Sequence, residues 1–180
     1  VLITAESYSE IVDENDANTS LLFSDGAAAC LVSGDGFAKL GASTYGNDTR
    51  NYNALIVEKA SGNLYMNGRA IYRMAMENVP FSIKSCLEKN NLDIQEIDRW
   101  YFHQGSRFVL DSICKELAIP DEKVPSNLTL VGNTTASSIP ILMKEDEESL
   151  KMCRTVALAG FGVGLSWACT IMRLGESNEL

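Results

Sequence analysis

The apolar run from Trp100 to Phe102 gives way within a few residues to a helical pattern from Ser106 to Leu117. A strand that feeds a helix at that distance is a βα unit, and such units build parallel sheets with helices packed on their faces. It also puts His103, the only histidine of the chain, at the carboxyl end of a strand, where open α/β proteins place their chemistry. Histidine is the side chain whose unperturbed pKa suits proton traffic near neutrality. A lone histidine can equally be a hydrogen-bonded core or rim residue, and composition alone favours that plainer reading.

Before this unit the chain reads mostly as strands. Val1 to Ala5 is a short apolar strand, followed by a polar loop over residues 6–20. Leu21-Leu22-Phe23 enters a turn at Ser24-Asp25-Gly26, and Ala27 to Val32 continues as a strand of small residues. Ser33-Gly34-Asp35-Gly36 predicts a hairpin into a strand from Phe37 to Tyr45. Ala54 to Val57 is either a short strand or a surface excursion. Asn67 is placed to cap a helix whose inward face carries Ala70, Ile71, Met74 and Ala75. Pro80 predicts a break there, with a second helix through Ile83, Cys86 and Leu87 ending at Asn90-Asn91.

After the His103 unit, Leu128 to Val131 is a brief apolar run into Gly132-Asn133, and a helix follows from Thr134 through Met143. Thr155 to Gly160 and Leu165 to Arg173 are strands around a tight turn at Phe161-Gly162-Val163-Gly164. The expected class is therefore α/β, with parallel connections in the middle and an antiparallel hairpin at the end.

At 180 residues, 46% of them hydrophobic, the chain is one domain or one large half of a bigger protein. Its abrupt apolar start, without an initiator Met, suggests a fragment or a processed chain, and no basic-then-apolar signal segment is visible. No apolar run is long enough to span a bilayer. The net charge of −9 argues against nucleic acid as a partner. The five cysteines, Cys30, Cys86, Cys114, Cys153 and Cys169, are odd in number and never in CxxC spacing. That points to a reducing, cytoplasmic compartment without a disulfide framework or a zinc site. Neither GxGxxG after the first strand nor GxxxxGK[ST] occurs, so no nucleotide motif is present.

Two side chains can act together. A neutral imidazole N–H at His103 and the carboxamide NH₂ of Asn133 are uncharged donors that can stabilise an oxygen becoming negative, such as a thioester enolate. Gly162-Val163-Gly164 offers backbone N–H groups in a turn, another natural oxyanion site. Three donor elements at three strand ends suit acyl chemistry better than phosphate or hydride chemistry. Plainer readings stand beside these. Asn133 can cap the following helix, Asp25-Gly26 can be only a turn, Arg69 can make a structural contact, and Trp100 and Trp167 read as core or wall residues.

Five segments carry a resemblance. Phe23-Ser24-Asp25-Gly26-Ala27-Ala28-Ala29 is similar to FGDGAGA, and Met66-Asn67-Gly68-Arg69 to MNG/MDGR. Phe102-His103-Gln104 is similar to the start of HQAN, Gly132 to Ser138 to GNTSAAS, and Gly160 to Trp167 to GFGGGLTWG. In this order and spacing they resemble the 3-oxoacyl-[acyl-carrier-protein] synthase III family of thiolase-fold condensing enzymes, from Val1 to about Leu174. The resemblance implies the C-terminal half of a thiolase-like fold, a mixed sheet with packed helices, plus the last strands of the N-terminal half. The implied divisions are residues 1–36 for the end of the first half, 37–174 for the second half and 175–180 for a polar tail.

The resemblance also implies a Cys–His–Asn site. A cysteine takes an acyl group from acyl-CoA or an acyl carrier protein. The His and Asn, matched by His103 and Asn133, promote decarboxylation of malonyl-acyl carrier protein, and the carbanion attacks the acyl-cysteine. Phe161, Gly162, Val163 and Gly164 match the oxyanion loop. Gln104, Ser106 and Arg107 are weaker candidates for substrate or carrier contact, and neither a bound cofactor nor a metal is implied. The implied partners are acyl carrier protein, the N-terminal half of the same enzyme and, at full length, a second copy; nucleic acid and membrane are not among them.

The departures are specific. The family's nucleophilic cysteine lies before the strand that Val1 to Ala5 resembles, and none of the five cysteines has its context, so this chain alone is expected to be inactive. Val163 replaces a glycine, Gly105-Ser106 replaces Ala-Asn, and Arg107 falls one place early, about 100° around its helix. Ala17 stands where a coenzyme A-contacting arginine is expected, which weakens coenzyme A as the acyl donor and leaves a carrier-protein donor open. Two other readings keep the same fold: a non-catalytic partner or scaffold subunit, and an acyltransferase that works without decarboxylation. A half of this kind would expose an apolar face and associate with itself or a partner.

Overall fold

The computed structural model describes residues 1–175; most of the expected polar tail lies outside them. Its strands are β1 (Leu2–Glu6), β2 (Gly26–Cys30), β3 (Ala38–Asn47), β4 (Leu55–Val57), β5 (Leu64–Met66), β6 (Arg99–Phe102), β7 (Thr155–Gly162) and β8 (Ser166–Leu174). Its helices are α1 (Ala17–Ser20), α2 (Gly68–Lys89), α3 (Arg107–Leu117), α4 (Leu128–Val131), α5 (Ser138–Glu145) and α6 (Glu147–Lys151).

The main sheet has the order β3-β8-β7-β6, with β6 and β7 parallel and the other pairs antiparallel. This is the mixed sheet expected from a βα unit followed by a terminal hairpin, and with its packed helices it is α/β. Period-2 alternation sends side chains to two faces. Trp100, Phe102, Ala157, Ala159 and Ile171 pack under α2 and α3 with Val79, Ile83, Leu110 and Ile113. On the opposite face Tyr101, Val156 and Met172 meet Leu142 of α5 and Leu150 of α6. Trp100 is buried in the first of these clusters, and Trp167 is a wall residue packed against it.

Three local expectations are corrected. Residues 33–36 do turn, but they join two sheets and make no hairpin: β2 pairs with β1, and β3 pairs with β8. Turn chemistry is local, whereas strand partners are chosen by what each face can bury. Pro80 does not break the helix; α2 runs without interruption through it. Val79, Pro80, Ile83 and Cys86 are all buried, and this packing outweighs the roughly 3 kcal/mol an internal proline costs. Finally, the brief apolar run Leu128–Val131 is one turn of helix, so Asn133 is not delivered by a strand. The ambiguous segment Ala54–Val57 is largely a strand, β4, which pairs with β5.

α2 ends where expected. Asn90 caps it and also closes an irregularity in β3: its Oδ1 accepts from the Ala42 N–H and its Nδ2 donates to the Ala42 carbonyl, both at 2.9 Å. One side chain thereby ties the helix end to the sheet edge.

Candidate active site

His103 continues the β6 ladder by one residue, its N–H donating to the Ala159 carbonyl at 2.9 Å. The ring then leaves the sheet. Its Nδ1 lies 2.7 Å from the Ser138 hydroxyl oxygen, and the Phe161 ring meets it edge-on with centroids 5.6 Å apart. Burial disfavours the imidazolium and lowers the pKa to about 4, against a smaller upward pull from a backbone hydrogen bond with Thr135. The ring is therefore neutral at pH 7.

Asn133 arrives from the other side, after α4. Gly132 takes φ +68°, and a Cβ there would sit 2.5 Å from the Ser24 hydroxyl and 3.1 Å from the Leu22 carbonyl, so glycine is required. The Asn133 N–H then donates to the Leu22 carbonyl, and the Ser24 N–H donates to the Asn133 carbonyl, both at 2.9 Å. Gly26 permits a second close approach, since a Cβ on it would meet Thr134 at 2.7 Å. The F-S-D-G and G-N-T segments are thus packed backbone to backbone. Asp25 has a structural task, accepting from the N–H and the hydroxyl of Ser9, and those hydrogen bonds hold its carboxyl below the ordinary range.

The Asn133 side chain has one polarity available. Its Oδ1 accepts from the Thr135 N–H at 2.9 Å, while its NH₂ donates to nothing among the described residues. Thr135 makes this bond from the left-handed region, at φ +50°. Strain of that sort persists where the surroundings enforce it, commonly at functional sites.

His103 and Asn133 both line one cavity of about 1310 Å³, together with Ser106, Phe161, Gly162 and Val163. The turn between β7 and β8 is braced by the Ser166 hydroxyl, which donates to the Val163 carbonyl at 2.8 Å. Gly164, at φ +124°, lies outside the cavity wall. Gln104 also lies outside it. Fully buried, Gln104 donates to the Phe102 carbonyl at 2.9 Å and accepts from the Ser126 hydroxyl at 2.8 Å. Arg107 points outward and pairs with Asp111 at 2.8 Å, one turn along α3.

Sequence reasoning overlooked other wall residues. Tyr72, Arg73 and Met76 of α2 line the cavity beside Arg69. Tyr72 stacks on Phe108 of α3, with ring centroids 5.1 Å apart. The spacing 69, 72, 73, 76 is itself one face of a helix, a signal obscured by the neighbouring apolar face. None of the five cysteines lines the cavity. Cys86, whose thiol is drawn down by its hydrogen bond with Cys169, is fully buried in the core. Among the described residues no group of three His, Cys, Asp or Glu is placed to hold a metal, and no helix is long and apolar enough to cross a membrane.

With this geometry in hand, comparison with known proteins gives one consistent answer. Residues 1–49 match the family described as 3-oxoacyl-[acyl-carrier-protein (ACP)] synthase III, and residues 87–174 match its C-terminal part. The chain is 36% identical to the beta-ketoacyl-[acyl-carrier-protein] synthase III of Lactococcus lactis subsp. lactis strain IL1403, aligning 97% of this chain with 59% of that protein. It is 34% identical to the chloroplastic protein of the same name in Arabidopsis thaliana, over 96% of this chain and 50% of that one. The chain thus spans between half and three fifths of the length of these two relatives. Among solved structures, the 3-oxoacyl-[acyl-carrier-protein] synthase III of Aquifex aeolicus VF5 superposes with a TM-score of 0.87 at 29% identity, covering 95% of this chain and 56% of that one. The Thermus thermophilus structure gives 0.84 at 27% identity, covering 97% and 59%.

Proposed function

The chain belongs to the 3-oxoacyl-[acyl-carrier-protein] synthase III family, and from that premise we propose that it supplies His103 and Asn133 to a decarboxylative condensation between an acyl thioester and malonyl-acyl carrier protein. The observation that carries this reading is that the two side chains reach one cavity from separate elements, one ring neutral and one carboxamide with only its NH₂ unspent. The C–C bond to the malonyl carboxylate breaks, carbon dioxide leaves, and the electron pair passes into the thioester as an enolate. His103 N–H and Asn133 NH₂ hold the enolate oxygen without a net charge of their own. The carbanion then attacks the acyl carbonyl, whose oxygen becomes negative beside the turn that lines the cavity at Phe161, Gly162 and Val163. The acyl-bearing thiolate departs and the 3-oxoacyl thioester is released.

The acyl-bearing thiol must come from outside these 180 residues, because no cysteine of the chain reaches the cavity wall. Acyl carrier protein is the partner this chemistry asks for, and a second copy of the protein is the partner suggested by the family. Neither metal nor prosthetic group enters any step. A reducing compartment suits a chain whose cysteines are all free.

The test is made in the complete protein, with His103→Ala and Asn133→Ala variants. Carbon dioxide released from a malonyl thioester and the 3-oxoacyl product are both measured. Each variant is expected to lose about 10²–10³-fold in turnover, the usual cost of one oxyanion donor. Normal condensation in either variant overturns its assigned role. The absence of a wall cysteine keeps a second reading in view, a non-catalytic partner subunit of the same fold; there, replacing His103 alters assembly or nothing. Product formation without carbon dioxide release would point instead to simple acyl transfer.

A further inference from the structure

We propose that Ser138, the first residue of α5, is a positioning residue that fixes His103 as the tautomer protonated on Nε2. Ser138 is 1% exposed, so its hydroxyl hydrogen needs an acceptor within the protein. Its oxygen has two polar neighbours, His103 Nδ1 at 2.7 Å and the Gln104 backbone N–H at 3.4 Å. The Gln104 group can only donate. Among the described residues the hydroxyl makes no hydrogen bond to the carbonyls of Thr134 or Thr135 behind it, its partners being those two groups. The acceptor left for the hydroxyl is Nδ1. A neutral imidazole that accepts at Nδ1 carries its hydrogen on Nε2. The ring edge that carries Nε2 adjoins Gly105, where a Cβ would lie 3.1 Å away, and both His103 and Gly105 face the cavity.

One competing pull is the Thr135 backbone, which favours a hydrogen on the ring; the Ser138 contact at 2.7 Å is the ring's hydrogen bond among the described residues and sets the tautomer. Its use, a donor N–H presented to a developing oxyanion, rests on the condensation reading above. The same short segment therefore sets both donors: Thr135 N–H occupies the Asn133 oxygen, and the Ser138 hydroxyl occupies the His103 acceptor nitrogen.

Because the chain has one histidine, nitrogen NMR of protein labelled with ¹⁵N-histidine reads this ring with little overlap. The expected spectrum at pH 7 has Nδ1 as the unprotonated nitrogen and Nε2 as the protonated one. Ser138→Ala should shift the populations toward a mixture, and Ser138→Thr should restore the original pattern. A ring protonated on Nδ1 in the parent protein overturns the proposal, as does a Ser138→Ala spectrum identical to the parent. Should Ser138→Ala fail to fold, the parent spectrum and Ser138→Thr still decide the matter. Turnover in the complete protein separates the role of Ser138 from the use of the His103 N–H. A lower kcat in Ser138→Ala at unchanged KM, recovered in Ser138→Thr, supports both. The expected tautomer shift without any loss of turnover supports the role of Ser138 and overturns the use assigned to the His103 N–H.

Discussion

Phe23 and Asn133, far apart in sequence, meet as a single parallel β-bridge. The bridge places the Asn133 side chain, and it rests on the left-handed turn at Gly132. Gly132→Ala is therefore expected to destabilise the protein by about 2–4 kcal/mol, from a positive φ that alanine rarely takes and from contact with a backbone carbonyl that cannot rotate away. Thermal unfolding measures the loss. An unchanged melting temperature would mean that the bridge does not depend on this turn.

The end of α3 offers a prediction of the opposite sign. α3 ends at Ala118 in the left-handed conformation, φ +52°, with the Ile119 N–H donating to the Cys114 carbonyl at 2.9 Å. Glycine is the residue such a cap prefers. Ala118→Gly should raise stability by about 0.5–1 kcal/mol, read as a rise in the denaturant midpoint with no change in slope. A fall would show that the Ala118 methyl packs more usefully than its backbone is strained.

These two positions also mark what a sequence can tell. The His103 strand end was readable because a βα unit leaves a local trace, a switch of hydrophobic period from 2 to 3.6. The G-N-T segment was readable only through its likeness to GNTSAAS, because the contacts that demand its glycine, with Leu22 and Ser24, are distant in sequence. Pro80 misled because helix propensity is local, while the packing of Val79, Ile83 and Cys86 against the sheet is not. The turn at Ser33–Gly36 was visible as a turn, but its strands found partners elsewhere. Ser138 left no trace of its contact with His103, since that contact exists only once β6 and α5 lie side by side.

Apolar exposure is concentrated where β1 and β2 pair. Val1, Leu2, Ile3, Leu31 and Val32 are all at least 60% exposed. Soluble monomers seldom leave so many large apolar side chains of one strand pair uncovered. The 180-residue chain is expected to self-associate, with an apparent mass that rises with concentration in sedimentation. The double substitution Ile3→Glu, Leu31→Lys should reduce that rise. A monomer at every concentration would show that the patch is tolerated in water.

Acid sensitivity should come in two separable arms. His103 is neutral in the fold with its pKa lowered from 6.5 to about 4. Between those values the unfolded chain binds a proton that the folded chain does not, so stability rises with pH across this window and falls on acidification. The full effect is about 3 kcal/mol at most. Asp146 supplies the lower arm. Burial pushes its carboxyl up, but hydrogen bonds from Arg99 at 2.6 and 2.7 Å and from the Tyr101 hydroxyl at 2.8 Å outweigh that and leave it below its ordinary value. Its contribution is present above the unfolded-state pKa near 3.8 and is lost as pH falls below it. Denaturant unfolding of the parent at stepped pH should therefore show a decline from about pH 6.5 to about pH 4, continuing below. His103→Gln should flatten the upper part alone. Asp146→Asn should flatten the lower part and also lower stability at pH 7 by about 1–3 kcal/mol, since Arg99 loses its charged partner while half-buried. The same neutrality bears on turnover: a His103 that acts as an uncharged donor should give a rate with no inflection near pH 6.5. An inflection there that disappears in His103→Gln would show that the ring titrates in solution-like surroundings and that its burial does not protect the donor.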